Sequence, residues 1–200
     1  MIKRTRRLPP AEMSDVDEET RRLLKALGER HDGRPDNIFT TLANHPDLLK
    51  RFLGLGSHIL MTSTLPPRDR EILILRVGWL CQSEYEWTQH VELARQSGLT
   101  GEEIERVTAG AEASGWNSLE AELLRAVDQL HENAFIKDRT WEALGRHYRT
   151  RQLMDLVFTV GQYHMVAMAL NTFGVQLDPR LSETAAGEAC HETTGKGRRR

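Results

Sequence analysis

The chain has 200 residues, of which 39% are hydrophobic and 28% are charged, and its formal net charge is −2 at pH 7. This balance is typical of a soluble globular protein with one domain and a sizeable core, and it argues against nucleic-acid binding, which requires a basic surface. The two cysteines, Cys81 and Cys190, lie far apart, which excludes a disulfide framework and a local metal-ligand pair.

The two ends of the chain differ in composition from the rest. Residues 1–16 are rich in Lys, Arg and Pro, and residues 182–200 contain few bulky apolar side chains and end in three arginines. We therefore predict a flexible basic arm (1–16), a single helical domain (17–181) and a flexible tail (182–200). No apolar segment follows the basic start, and no apolar run reaches the roughly 18 residues that cross a membrane, so we expect a cytoplasmic protein without a membrane partner.

Hydrophobic spacing and cap residues predict helices between the arms, and no strand. Thr100 with Glu103, and Asn117 with Glu120, have the spacing of capping boxes, and Pro67 suits the first turn of a helix. The predicted fold class is all-α, a multi-helix bundle. Its helices are predicted at residues 17–30, 36–44, 46–62, 67–82, 84–98, 100–109, 118–133, 138–148 and 150–176.

The last predicted helix changes character along its length. Its first half carries polar residues at spacings of three and four, whereas residues 165–170 (MVAMAL) are apolar on every side. An apolar surface all around a helix must be covered by more than one neighbour. This predicts a homo-oligomer in which another subunit covers part of the helix.

Glu86 and His90 form a candidate catalytic pair. Residues at i and i+4 are about 40° apart around a helix, so their side chains can touch. Glu86 could then orient His90 for general acid–base catalysis near neutral pH. The alternative is an exposed surface pair with a small effect on stability.

The preceding helix is apolar over residues 72–81 except for Arg76 and one glycine, and Glu71 lies at its entry. Charges within such a segment need partners, because an unpaired buried charge is expensive. Glu71 and Arg76 could pair with each other, or with Glu86 and His90 across a helical hairpin.

Several motifs occur in order along the chain: NHPDLL at residues 44–49, Arg68-x-x-Glu71 before the apolar helix, Glu86-x-x-x-His90, and the run from Ala94 to Ile104. Together they resemble the carboxymuconolactone decarboxylase family, which includes the alkylhydroperoxidase-D-like proteins. The resemblance covers most of residues 36–178. It implies an alkylhydroperoxidase-D-like helical bundle that forms a homo-oligomer, commonly a trimer or hexamer.

The peroxidase branch of this family uses a glutamate, then Cys-x-His-Cys, then a histidine four residues later. With His90 on that histidine, Glu71 falls on the glutamate. Ser83 and Glu86 replace the two cysteines and Tyr85 replaces the intervening histidine. A dithiol peroxidase needs a reactive thiolate and a resolving thiol, so this resemblance favours the decarboxylase branch, whose enzymes use neither a thiol nor a cofactor.

The resemblance implies catalytic roles for three residues: His90 as general acid/base, Glu86 as its partner or proton donor, and Glu71. Four further residues are candidates for substrate binding. Arg76 could hold a departing carboxylate, and Tyr85 and Trp87, with Glu84 beside them, could line a pocket for an unsaturated substrate. The predicted reaction is decarboxylation, isomerisation or elimination on a small unsaturated acid or lactone.

Two other functions remain open: a thiol-dependent antioxidant protein using Cys81, and a non-catalytic oligomeric module that binds a ligand. A metal held by Glu71, Glu86 and His90 is a further alternative, although no other local ligands accompany these three. His164 and His58 could enter the site from other helices, but a hydrogen-bonded structural role is favoured for both.

Overall fold

The computed structural model describes residues 1–29 and 33–181. Over these residues the chain forms nine α-helices and one π-helical turn, and the β pairing seen there is an isolated bridge between Ile2 and Ser83. The all-α prediction is confirmed. The helices are α1 (Glu18–Gly28), α2 (Asn37–Leu42), α3 (Pro46–Ser57), α4 (Pro67–Leu80), α5 (Glu84–Gln96), α6 (Gly101–Ala109), α7 (Ser118–Asn133), α8 (Asp138–Gly145) and α9 (Thr150–Phe173).

Helix α4 lies at the centre of the fold. The side chains from Ile72 to Leu75, and that of Val77, are fully buried, because α4 packs against α5, α6, α7 and α9 on different sides. A helix that is apolar all around needs this environment. The central position of α4 is what brings its polar residues into contact with neighbouring helices.

Both predicted capping boxes form. The Thr100 hydroxyl accepts from the backbone N–H of Glu103 at the start of α6, and the Asn117 side chain accepts from that of Glu120 at the start of α7. Arg68, in the first turn of α4, contacts both glutamates, at 2.6 Å from Glu103 and 2.8 Å from Glu120. One guanidinium thus joins the N-terminal ends of three helices.

The single helix predicted over residues 46–62 changes its winding. It is α-helical to Ser57 and then forms the π-turn His58–Thr62. Asp155 of α9 holds this region, because its carboxylate accepts from the Thr64 backbone N–H at 2.7 Å and lies 3.0 Å from the His58 ring. The π-turn forms part of the wall of the cavity described below.

Helix α9 is long and apolar enough to cross a membrane by length and composition alone, but half of its most apolar stretch is buried inside the protein. It packs against α4 and α5, which is typical of a core helix. The rest of its apolar surface is exposed at four side chains that we call the α9 stripe: Met154, Phe158, Met165 and Met168.

The N-terminal arm lies along the helical body. The backbone N–H groups of Arg7 and Leu8 both donate to the carbonyl of Phe173, the last residue of α9, and that of Ala11 donates to Thr40. The flexibility of residues 1–16 stays a prediction. The predicted tail, residues 182–200 with Cys190, lies outside the described residues.

Candidate functional site

A cavity of about 770 Å³ lies between α1, α2, α3 with its π-turn, α5 and α9. Aliphatic and aromatic side chains form most of its wall. A large apolar cavity with a few polar groups is the usual form of a small-molecule site. Polar residues in this wall include Arg70, Glu86, Gln89, His90 and Gln162.

His90 is fixed by a buried carboxylate. Its Nδ1 lies 2.7 Å from Oε2 of Glu71, which is fully buried, and Arg70 donates to the other oxygen of Glu71 at 3.0 Å. Because a carboxylate can only accept, we assign the ring proton to Nδ1. Nε2 has no hydrogen-bond partner among the described residues, and His90 lines the cavity. This is the arrangement of an oriented general base.

The surroundings of this pair keep Glu71 ionised. Burial raises the pKa of Glu71, but the opposing contributions of His90 and Arg70 are together larger, so the pKa is lowered overall. The Tyr163 ring packs edge-on against the imidazole, with 4.8 Å between ring centroids. A charged pair, Arg70 and Glu71, therefore holds one side of His90 and an aromatic ring holds another.

Glu86 is a buried carboxyl group of a different kind. It is 2% exposed, and neither of its oxygens has a hydrogen-bond partner among the residues described. Burial alone raises the pKa of Glu86 well above the ordinary value, which favours the neutral, protonated form of the group. Glu86 lies beside Gly78 of α4, where a Cβ would be 3.4 Å from Oε1 of Glu86, an ordinary van der Waals contact.

The predicted contact between Glu86 and His90 does not form. The two residues share a helix, but Nδ1 of His90 is bonded to Glu71 of α4, and Glu86 faces Gly78 instead. The reason is the close packing of α4 on α5, which brings Glu71 against the imidazole. The three predicted catalytic residues therefore divide into a Glu71–His90 pair and a separate neutral acid.

Arg76 lies outside the cavity, contrary to the predicted role in substrate binding. Its guanidinium donates to Asp128 at 2.7 Å and to the backbone carbonyls of Val107 and Thr108 at 2.9 Å. These bonds tie α4 to α6 and α7. Arg70, one turn and a half earlier, is the arginine of α4 that reaches the cavity.

The other predicted substrate-binding residues are spread over different surfaces. Tyr85 lines the cavity, and its hydroxyl donates to Asp178 at 2.6 Å. Glu84 does not line this cavity and faces a smaller crevice, of about 140 Å³, beside the N-terminal arm. Trp87 packs in the core with its ring 5.6 Å from that of Trp79. Only Tyr85 of these three is placed to contact a ligand in the large cavity.

The remaining candidates lie elsewhere. His58 is bonded to Asp155, and His164 donates from Nδ1 to the carbonyl of Val160 at 2.9 Å, as favoured for structural histidines. Cys81 does not line the cavity. Within the described part of the chain, Glu71, Glu86 and His90 do not converge to the spacing of metal ligands.

Sequence reasoning did not select Gln162, which contributes an amide to the cavity. It is buried, and neither polar atom of its side chain has a hydrogen-bond partner in the described part of the protein. Such atoms normally have partners, so an orphaned amide on a cavity wall suits a bound ligand. Gln162 is one of the polar residues that recur at spacings of three and four in α9. That pattern did not indicate that these residues face a cavity.

Comparison with known proteins finds a family model that is similar to part of the chain, and solved structures that share its fold. The model of the carboxymuconolactone decarboxylase family matches residues 46–129. No curated protein sequence matches the chain significantly.

Solved structures with the same fold include a peroxidase-related protein from Ralstonia eutropha JMP134 with an alkylhydroperoxidase AhpD core. It is 17% identical, with 88% of this chain and 93% of that chain covered and a TM-score of 0.78. A peroxidase-related protein from Silicibacter sp. TM1040 is 18% identical, with coverages of 90% and 97% and a TM-score of 0.76. The debrominase Bmp8 in complex with 2,3,4-tribromopyrrole is 13% identical, with coverages of 93% and 99% and a TM-score of 0.74. At these identities the likeness establishes the AhpD-like fold.

Proposed function

Because the model of the carboxymuconolactone decarboxylase family matches residues 46–129, we propose that this chain belongs to that family and is an acid–base enzyme acting on a small unsaturated acid or lactone. The reaction is a decarboxylation, isomerisation or elimination in which protons move to and from carbon. The observation that carries this proposal is the wall of the cavity, where His90, oriented by Glu71, and the neutral acid Glu86 both line one space.

The two groups divide the proton transfers between them. Nε2 of His90 accepts a proton from the substrate, while the Nδ1 proton stays on the bond to Glu71, which stabilises the imidazolium that forms. Glu86 donates its proton to the carbon that becomes electron-rich, and is reprotonated at the end of the cycle. A carboxylic acid kept neutral by burial is suited to this role at pH 7.

Two further groups are placed to bind the substrate. The orphaned amide of Gln162 can donate to a lactone or acid carbonyl, where negative charge develops in the transition state. Arg70, rather than Arg76, holds the departing carboxylate, because Arg70 lines the cavity and its positive charge attracts a carboxylate. The apolar wall around them suits the unsaturated part of the substrate.

The test is turnover of carboxymuconolactone and of related unsaturated lactone acids, followed by release of carbon dioxide and by deuterium incorporation at carbon. His90→Ala and Glu86→Gln should each lower kcat by about 10²–10⁴-fold, the usual contribution of a general acid or base. Matched controls are His58→Ala and Glu84→Gln, which change a histidine and a glutamate outside the large cavity and should retain activity. Full activity in both His90→Ala and Glu86→Gln would contradict the proposal.

We also propose that the protein is a homo-oligomer, a trimer or hexamer, with no further cofactor in the reaction and no nucleic-acid or membrane partner. The α9 stripe supports the assembly, because four large apolar side chains on one helix are between 49% and 64% exposed. Burying such a patch between subunits is favourable.

A thiol mechanism at Cys81 has weaker support. Burial, with a smaller contribution from Glu86, raises the pKa of the Cys81 thiol to about 11, whereas a peroxidatic cysteine needs its thiolate. The thiol also lies outside the large cavity. Peroxide turnover that is lost in Cys81→Ser would favour this alternative, and unchanged turnover would remove it.

A further inference from the structure

Three potential metal ligands converge at the junction of α4, α7 and α9. They are the sulfur of Cys81, just after α4, and imidazole nitrogens of His131 in the last turn of α7 and His164 in α9. These ligand atoms all lie within 4.8 Å of one another. None of the three residues lines the large cavity, so the cluster is separate from the proposed catalytic site.

The two histidines are oriented as metal ligands commonly are. Nδ1 of His164 donates to the Val160 carbonyl at 2.9 Å, which leaves the lone pair of Nε2 directed toward His131. A metal-bound histidine usually donates its other ring N–H to a backbone carbonyl or a carboxylate, which fixes the orientation of the ring. Nδ1 of His131 lies 2.9 Å from that lone pair. The two nitrogens therefore face each other, and the Cys81 sulfur lies within 4.8 Å of a nitrogen of each ring.

We propose that Cys81, His131 and His164 form a binding site for a transition-metal ion that prefers thiolate and imidazole ligands, with Zn²⁺ the best match. One sulfur and two nitrogens suit zinc, which is commonly four-coordinate. Water completes the coordination, because His131 is exposed to solvent. The ion would clamp the ends of α4 and α7 to the middle of α9.

Metal binding requires only a small rearrangement. Tetrahedral zinc with bonds of about 2.0 Å to nitrogen and 2.3 Å to sulfur places two nitrogens about 3.3 Å apart and a sulfur about 3.5 Å from each. The His131 and His164 nitrogens must separate slightly from 2.9 Å, which the exposed His131 ring can accommodate. The sulfur, which lies within 4.8 Å of a nitrogen of each ring, must approach by up to about 1.3 Å. The proton on Nδ1 of His131, which the two imidazoles share, moves by solvent exchange to Nε2 of the same ring. The Cys81 thiol releases its proton to solvent, so one proton leaves for each metal ion bound.

The test is titration of the full chain, stripped with a chelator and kept reduced, with Co²⁺ as a spectroscopic substitute for zinc. We expect one equivalent to bind with the sulfur-to-cobalt charge-transfer absorption of a thiolate complex, and Zn²⁺ to displace it stoichiometrically. Cys81→Ser should abolish this absorption, and Cys190→Ser should retain it. His131→Ala and His164→Ala should each weaken binding at least about tenfold, and His58→Ala should leave it unchanged.

Absence of the thiolate absorption at one equivalent would overturn the proposal, as would its persistence in Cys81→Ser or its loss in Cys190→Ser. Circular dichroism of each variant reports folding. If Cys81→Ser fails to fold, His131→Ala decides the question, because its side chain is exposed. Unchanged Co²⁺ affinity in that variant would then overturn the site.

Discussion

Two buried carboxyl groups in this protein hold opposite protonation states. Glu71 faces an arginine and a histidine and has a lowered pKa, whereas Glu86 faces no hydrogen-bond donor in the described structure and has a pKa raised well above the ordinary value. Environments that move the pKa values of two nearby acids apart are typical of acid–base catalysis. The difference between these two residues is the physical basis of the proposed division of roles.

The neutral state of Glu86 predicts how stability depends on pH. Because its folded pKa is raised above the unfolded value of about 4.3, its contribution to stability is complete below that pH and is lost as the pH rises toward the folded pKa. Relative to Glu86→Gln, the wild type should lose up to about 1.4 kcal/mol of unfolding free energy per pH unit in that window. Urea unfolding at several pH values measures this. A pH-independent difference between wild type and Glu86→Gln would show that Glu86 is not buried as a neutral acid.

Gln162 predicts opposite effects on stability and turnover. Replacing an orphaned buried amide by an apolar group of similar shape is neutral or stabilising, so Gln162→Leu should not lower the melting temperature. Turnover should fall by about 10²–10³-fold, as for other donors that stabilise developing negative charge. Thr159→Val is the matched control, because its hydroxyl is also buried without a partner but does not line the cavity. Equal turnover in the two variants would exclude Gln162 from substrate binding.

The residue types at the site were predictable from sequence, but their partners were predicted only as alternatives. A pair of Glu71 and His90 across a helical hairpin was one of these alternatives and forms, whereas local helical geometry equally favoured Glu86, which does not bond His90. Arg70 and Arg76 are both arginines of one buried helix. Which of them reaches the cavity depends on the neighbouring helices. The ligands of the proposed metal site are likewise scattered over three helices and form no sequence motif.

At the level of elements, Arg68 connects features that are separate in sequence. The glutamates that complete the capping boxes of α6 and α7 are the same ones that pair with this arginine. The pKa of Glu103 falls to about 2, first because of the hydrogen bond from Arg68 and then because of the backbone N–H of Thr100. Each carboxylate thus accepts a hydrogen bond from the backbone at a helix N-terminus and also pairs with the Arg68 cation.

Arg68→Met should therefore lower the free energy of unfolding by about 1–3 kcal/mol at pH 7, since hydrogen bonds to charged groups are lost. Because the folded pKa of Glu103 is depressed, this stability is present above about pH 4.3 and is lost as the pH falls toward 2. The difference in unfolding free energy between wild type and Arg68→Met should therefore shrink over that pH range. Denaturant unfolding at several pH values measures this difference. Arg125→Met, which removes a more exposed pair of contacts with Glu112 and Glu122, should cost less than about 1 kcal/mol. Equal losses in both variants would contradict the special role of Arg68.

The helices themselves were largely predictable, because their ends carry local signals. The capping residues Thr100 and Asn117 begin helices where predicted. The last helix was predicted to reach residue 176, but α9 ends at Phe173 because Gly174 adopts a left-handed conformation with φ of 65°. The π-turn after α3 was not predicted. Its winding depends on contacts with Asp155 of α9, which the local sequence does not contain.

For the whole molecule, the α9 stripe is the feature that bears on assembly. Phe158→Glu or Met165→Glu should convert the proposed oligomer to smaller species, since a charge buried in an apolar interface is costly. Size-exclusion chromatography with light scattering measures the mass. Leu48→Glu changes a similarly exposed apolar residue on α3 and should leave the mass unchanged. A wild-type protein that is monomeric at micromolar concentration would refute the assembly.

The contact between the N-terminal arm and the end of α9 has a consequence for the order of folding. Arg7 and Leu8 are made before their backbone partner, Phe173, which lies about 165 residues later in the chain. Contacts of such long sequence separation form late, because closing the loop costs entropy before the contact can stabilise the chain. The carbonyl of Thr5 also lies where a side chain on Gly174 would have to be, so the arm can dock only after that turn has formed. We therefore expect the arm to dock late in folding, although it is made before the helix end that it contacts.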